Sequence, residues 1–302
     1  MTVEYHWLEG QFDRLPTLID DLIRRRVAVI AAFGNPNIAI MAKAATTTIP
    51  IVFGVGDDPV EFGLVASLAR PGGNATGINF FTTEVVAKRL ALLHELVPKA
   101  VRVAVLIPPY DIRGLRDVRD AAGAIGLQLR ILNATTIDEI DAAFATLTRD
   151  RPDALFVAPS SFFTSRRVQL VNLASRDRIP ATYVSRVIVA AGGLMSYGPN
   201  ITDGHLEKLI SMPIRDLASV NIYESEREQS RIIRRQFCGA TGRGYFSRCP
   251  DAIRLVGTYV GHVHLPVFQS TKFELVINQT TAKALGLVVP ETLLATADEV
   301  IR

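Results

Sequence analysis

The sequence predicts an α/β protein of two Rossmann-like lobes, each built on a parallel sheet. Apolar runs of strand length, bounded by turn residues, alternate with amphipathic helical stretches. That is the pattern of strand–helix–strand units with right-handed crossovers. The alternation restarts at Arg102, so two arrays of similar size follow one another, with a cleft expected between them. The 302 residues are 48% hydrophobic and 21% charged, the balance of a well-packed protein of two ordinary domains. No run approaches the ~18–20 apolar residues of a membrane span.

Thr2–Leu8 alternates and is rich in β-formers, so it reads as a strand. Asp13–Arg26 is a helix with Leu15, Leu18, Ile19, Leu22 and Ile23 on one face, and its basic last turn complements the helix dipole. Val27–Phe33 is a buried strand. Asn35 then offers an N-cap, and Pro36 a first-turn proline, for a helix through Ala45. The apolar run Ile49–Val55 reads as a strand buried on both faces. It ends in the polar elbow Gly56–Pro59, followed by a short helical segment and the Arg70–Asn74 turn. A longer helix covers Thr83–Leu96.

In the second array, strands at Val103–Ile107, Gln128–Leu132, Ala154–Ala158 and Ala181–Val184 alternate with helices at Gly114–Ile125, Ile137–Thr148 and Phe163–Ser175. Gly193–Tyr197 is a last short strand. Residues 204–250 break the rhythm: Ser225–Gln236 is polar and Arg-rich, and no parallel-sheet signal occurs there. A helix at Asp251–His262, an extended Pro266–Ile277, a helix at Thr280–Leu285 and a closing stretch Pro290–Ile301 complete the chain.

A net charge of +3 is too small for a nucleic-acid footprint, despite a pI near 8.9. The imbalance is local, because 204–250 carries eight Lys/Arg against five Asp/Glu and the rest balances at 25 against 25. Both cysteines, Cys238 and Cys249, lie in that segment. Their spacing from each other and from His262 and His264 matches no close-paired zinc arrangement, so no metal is expected. They pair as a disulfide or stay as thiols. Gly54-x-Gly56 starts a dinucleotide fingerprint that fails at Pro59, and the Arg70–Gly77 turn lacks the Lys-Ser/Thr of a phosphate loop. No histidine has a serine or cysteine partner at a recognisable spacing, so neither catalysis nor a cofactor is expected. Asn-x-Ser/Thr tripeptides at Asn74, Asn133, Asn200 and Asn278 matter only in a glycosylating host.

Three loops at strand carboxyl ends remain, the position where open α/β sheets gather ligands. They are Gly34–Asn37, Gly56–Pro59 and Pro159–Phe163. The first and third enter helix N-termini, which favour a carboxylate, and an aspartate at the second suits an ammonium group. Asn35, Asn37, Asp57 and Asp58 in lobe one, with Ser160, Ser161, Phe162, Tyr183 and Tyr197 in lobe two, are the candidate ligand contacts. The aromatic members would wall an apolar or aromatic side chain. The competing reading is that the polar residues only cap helices and the aromatics only pack.

Several stretches then carry a resemblance: Ile49–Phe53, Asp58–Val60, Gly63–Gly77, Phe162–Arg167, Ala191–Gly198, Thr271–Asn278, Thr281–Leu287 and Leu294–Ile301. Together they closely resemble the ABC-transporter substrate-binding family of tryptophan/tyrosine type. The resemblance implies a type I periplasmic binding protein: a hinged receptor that feeds a membrane permease and takes small molecules, aromatic amino acids among them. It implies a periplasmic location, although Met1–Trp7 shows no basic-then-apolar export signal. The expected layout is lobe one over 1–79, lobe two over 80–197, a return to lobe one over 198–264, and a crossover strand with C-terminal helices over 265–302.

Three departures accompany the resemblance. The family has a strand and a helix before the strand matching Thr2–Trp7. In the usual 2-1-3-4-5 order, the first strand of lobe one is then missing from the centre of the sheet. Residues 204–250 interrupt the family pattern, and the linker before Leu265–Val267 is short. A mis-called start or a decayed, non-functional copy would account for these, and the chain is expected to be poorly stable because a gap leaves backbone groups unpaired. The family's Asp-Pro before Phe162-Phe163 is Ser160-Ser161 here. A cytosolic small-molecule-sensing module, as in transcriptional regulators of this fold, is the rival reading.

Overall fold

The computed structural model describes residues 3–8, 11–82, 85–200, 219–223 (backbone only) and 266–302. The chain divides into two units, Met1–Phe81 with Ile201–Thr271 and Thr82–Asn200 with Lys272–Arg302.

Unit 1 is one parallel sheet. Its strands are β1 (Val3–Trp7), β2 (Val29–Phe33), β3 (Ile51–Val55), β4 (Ala75–Asn79), β10 (Ser219–Tyr223) and β11 (Phe268–Gln269), in the spatial order β1-β10-β2-β3-β4-β11. Helices α1 (Leu15–Arg24) and α2 (Pro36–Ala45) bury Leu15, Ile19, Leu22, Ile38, Ala39 and Ala42 against Ile30, Ala32, Ile51 and Phe53. Val29, Val52 and Ile78, with Phe33, Phe80 and Phe268, form a smaller apolar group. Alternate residues of β2 and β3 therefore serve opposite faces, which is why both strands read as unbroken apolar runs.

The central position of this sheet is filled. β10 runs parallel to β1 over Val3–Trp7 and parallel to β2 over Val29–Phe33. The expectation of a missing first strand, and of no parallel-sheet signal in 204–250, is corrected by this pairing. An open central slot would leave two rows of N–H and C=O groups without partners. A five-residue extended segment answers them wherever it lies in the chain, so the argument for poor stability loses its ground. The helix expected at Asp251–His262, Cys238 and Cys249 lie outside the described residues.

Two further differences are local. The stretch after the elbow is a single turn, not a helix. Leu64 N–H bonds to Pro59 C=O at 2.9 Å and Gly63 N–H to Val60 C=O at 2.9 Å, and Gly63 at φ +67° ends it in a Schellman motif. β4 then pairs with β3 across Ile51–Val55, although its Ala-Thr-Gly-Ile-Asn composition carries no apolar run. A Cβ at Gly77 would lie 2.0 Å from the Phe53 carbonyl oxygen, so only glycine lets the strands approach. The preceding turn is clamped by Asn74, whose Nδ2 donates to the Thr46 and Ile49 carbonyls at 2.8 Å each.

Unit 2 holds seven strands in the order β13-β12-β9-β8-β7-β5-β6. These are β5 (Arg102–Ile107), β6 (Gln128–Asn133), β7 (Ala154–Val157), β8 (Ala181–Tyr183), β9 (Met195–Pro199), β12 (Phe273–Asn278) and β13 (Glu299–Ile301). β5 to β9 are parallel, and β12 lies antiparallel to β9. The extended Pro266–Ile277 is thus two strands, β11 in the first sheet and β12 in the second. Helices α3 (Val86–Leu96), α4 (Ile112–Ala124), α9 (Gln279–Ala284) and α10 (Glu291–Thr296) contribute to one core. Helices α5 (Ile137–Asp150), α6 (Ser161–Ser165), α7 (Arg167–Arg176) and α8 (Arg186–Ala190) contribute to the other. α5 starts with a capping box, Thr136 accepting from the Glu139 N–H and Glu139 reaching back to the Thr136 N–H.

Candidate functional site

In unit 1 the carboxyl ends of β2, β3 and β4 lie side by side, because the register pairs Phe33 with Gly54 and Val55 with Asn79. Asn35 and the Asp57-Asp58 elbow therefore share one sheet edge. Asn35 is buried and caps α2, its Oδ1 accepting the Asn37 N–H at 2.9 Å. Asn37 is exposed in the first turn of α2. Asp57 and Asp58 are half-buried, and Asp58 accepts the Val60 N–H at 2.8 Å to shape the elbow.

Asn79, absent from the expected set, completes this edge. It is fully buried, and its Oδ1 accepts the Phe81 N–H at 2.9 Å while its carbonyl accepts the Ser270 N–H at 3.0 Å. Its Nδ2 has no hydrogen-bond partner. The sequence signal was weak, because the strand it ends was not legible.

In unit 2, β5 is flanked by β6 on one side and β7 on the other, which makes the β5/β7 carboxyl ends the switch point of the sheet. Ser160 and Ser161 follow β7 there. Ser160 caps α6 by accepting the Phe162 N–H at 3.1 Å, and Ser161 is half-buried. Phe162 is half-buried, its ring 5.7 Å from that of the buried Phe163. Asp111 follows β5 at the same switch point, a position that a cap after a strand could have flagged. It caps α4 by accepting the Gly114 N–H at 2.8 Å. Burial is the main cause that raises its carboxyl above the usual range, and Asp117 adds to this.

Tyr183 and Tyr197 separate from this group. Tyr183 is 1% exposed and belongs to the core with Phe144, Leu155 and Ile188, where burial pushes its phenol up. Its ring packs within this core. Tyr197 is half-buried on β9 and stacks on Phe273 of the antiparallel neighbour, with centroids 6.3 Å apart.

Arg89 is the most unusual group in unit 2. It occupies the apolar stripe of α3 between Val86 and Leu93, and its exposure is 0%. Its guanidinium lies 4.0 Å from the centre of the Phe156 ring, and Nη2 donates to the Val157 carbonyl at 2.8 Å. Nε and Nη1 have no partner, and burial pulls the group down to about 9. A charge in an apolar helical stripe is a readable signal, but one that strand-end position does not reveal.

Among the described residues, no cluster of three His, Cys, Asp or Glu could hold a metal ion, and no helix is long and apolar enough to cross a membrane.

A family model described as ABC transporter substrate binding protein matches residues 1–204. A tyrosine-binding protein of Clostridioides difficile (strain R20291) is 28% identical over 199 residues, 65% of this chain and 56% of that protein. The chain thus spans little more than half the length of that relative. Two solved structures share the fold. One is the ABC domain in complex with L-Trp from Streptococcus pneumonia, at TM-score 0.66 and 18% identity, covering 96% of this chain and 86% of that one. The other is a conserved domain protein from Vibrio cholerae O1 biovar El Tor str. N16961, at TM-score 0.67 and 18% identity, covering 99% of this chain and 98% of that one.

Proposed function

Because this chain belongs to the ABC transporter substrate-binding protein family, we propose that it is the solute receptor of an ABC import system. Its location in this reading is the periplasm, and its partner is the system's membrane permease. The family consists of binding proteins rather than enzymes, and the fold is that of type I periplasmic binding proteins. The solute is an amino acid or a related compound, with an aromatic side chain favoured. The tyrosine named for the relative and the tryptophan bound in the structural neighbour support that class.

The single observation that carries the reading is the edge shared by Asn35, Asp57 and Asp58, where three parallel strands of the family-matched region end together. Half-buried carboxylates at such an edge suit a ligand ammonium group. Unit 2 offers candidate contacts of its own, Phe162 and Tyr197 as half-buried aromatics and Ser160 and Ser161 as polar groups. Titration calorimetry of the 302-residue chain against a panel of aromatic and aliphatic amino acids is expected to give saturable heat with at least one aromatic member. Absence of heat across the panel would remove this ligand class. Solute-dependent stimulation of the permease's ATPase in proteoliposomes is the corresponding check on the partner.

A further inference from the structure

A guanidinium has five N–H donors and stays ionised in proteins. Burying one without a counter-charge is expensive, and the usual remedy is a carboxylate within reach. Arg89 has none among the described residues: it makes one bond to the Val157 carbonyl and lies on the face of Phe156, and Nε and Nη1 are unsatisfied. Its place on the helix makes the deficit worse. Arg89 lies near the start of α3, where the helix dipole is positive, and Val85 at the N-cap supplies no side-chain bond to the first turn.

A second unsatisfied group sits beside it. Thr182 is 0% exposed and its Oγ1 has no partner. The register pairs Thr182 on β8 with Phe156 on β7, so both side chains stand on the same face of the sheet. Parallel neighbours lie about 4.8 Å apart, which keeps Thr182 next to the ring that carries the guanidinium. Two donor nitrogens of Arg89, near the start of α3, and the Thr182 hydroxyl are therefore both without partners beside Phe156, on one face of the sheet. Val157, whose carbonyl takes the Nη2 donor, is the last residue of β7 and lies shortly before Ser160.

We propose that Arg89 and Thr182 hold the carboxylate of the bound solute. The inference rests on the receptor reading above and deepens it. The two oxygens of a carboxylate match two guanidinium donors, and a third bond from the threonine completes the anchor. Enclosure makes the anchor selective, because a solute without the anion would leave both buried groups unpaired.

The test is calorimetry and thermal melting of the full chain with L-tyrosine and L-tryptophan, with tyramine and tryptamine, which lack the carboxylate, and with sodium acetate. The amino acids are expected to bind roughly 100-fold more tightly than the amines, the scale of a charge-assisted pair. Arg89→Met is expected to keep or raise the melting temperature, since it removes an uncompensated buried charge, and to abolish that 100-fold preference. Thr182→Val is expected to weaken amino-acid binding several-fold at unchanged melting temperature, and it decides the matter if Arg89→Met fails to fold. Equal binding of amines and amino acids overturns the carboxylate anchor while leaving the receptor intact. Binding of acetate through Arg89 with no preference among the solutes reduces the site to one for a free anion and also overturns the proposal. No binding of any solute overturns both this inference and the receptor reading.

Discussion

In unit 2 the strands β5 to β9 reach their places through crossovers within one continuous stretch, Arg102–Pro199, whereas unit 1 takes a central strand from Ser219–Tyr223, beyond the whole of the second array. The pairing is equally regular in both: β10 meets β1 and β2 over five residues each, as β5 meets β6 over six. What a doubly covered parallel sheet requires is an extended backbone in each slot, and the origin of that backbone is secondary. The difference lies in distance along the chain. β5 meets β6 and β7 within one stretch, while the two ladders of β10 join segments far apart in the sequence.

The largest expected effect breaks those two ladders. Every N–H of a central strand faces one neighbour or the other, so Asn221→Pro removes a ladder bond and restricts the backbone at a cost of about 3 kcal/mol or more. Hydrogen exchange should show Val3–Trp7 and Val29–Phe33 losing protection while Val103–Ile107 retains it. Unchanged protection in Val29–Phe33 would mean that β10 is dispensable and the slot is satisfied in another way. The unaltered chain, by the same reasoning, should melt cooperatively.

Next come the glycines that let strands pass closely in each unit. A Cβ at Gly77 would lie 2.0 Å from the Phe53 carbonyl oxygen, and one at Gly198 would lie 1.9 Å from the Val184 carbonyl oxygen. Both are backbone clashes, which cannot be relieved by turning a side chain. Gly77→Ala and Gly198→Ala should each lose about 1–3 kcal/mol in denaturant melts.

The same contrast explains what could be read from residues alone. The Ile51–Val55 and Ala154–Val157 strands were legible because burial on both faces selects unbroken apolar runs. α2 was legible because Asn35 and Pro36 mark its start and act as such in the structure. β4 and β10 were not. Ala-Thr-Gly-Ile-Asn is shaped by the approach of Phe53, and Ser-Val-Asn-Ile-Tyr is short and lies in an Arg-rich segment, so in both cases the neighbouring strand makes the strand. Among the candidate ligand contacts, Asn35, Asp58 and Ser160 stand at strand ends and all three turn their own loops. Tyr183 also ends a strand but packs in the core, a distinction of sheet face that its three-residue strand does not reveal. Arg89 was open to detection through helical periodicity, since positions 86, 89, 93 and 96 form one stripe and only Arg89 is charged.

Two turn clamps give the smaller effects, and pH separates them. Asn74 holds two carbonyls in unit 1, and Asp153 in unit 2 accepts the N–H groups of Val101 at 2.9 Å and Arg102 at 2.8 Å. Asn74→Ala should cost about 1–2 kcal/mol, independent of pH, because an amide does not titrate. Asp153→Asn should cost less, about 0.5–1 kcal/mol at neutral pH, since the carboxylate is only half-buried and partly screened by water.

The Arg102 and Val101 N–H groups hold the Asp153 carboxyl below its ordinary value of 3.8. A folded-state value below the unfolded one stabilises the native state fully above about pH 4, and that contribution fades as pH falls through the folded value. The gap between the wild type and Asp153→Asn should therefore close as the medium is taken from pH 7 to below 3, while the Asn74→Ala gap persists. Acid also protonates Glu139 and Asp177, whose carboxyls are likewise held low, but those contributions are common to wild type and variant and cancel in the difference. An Asp153→Asn gap that survives at low pH would show that the turn depends on the shape of the side chain rather than its charge. Asp153 and Asn74 would then be the same device in two lobes.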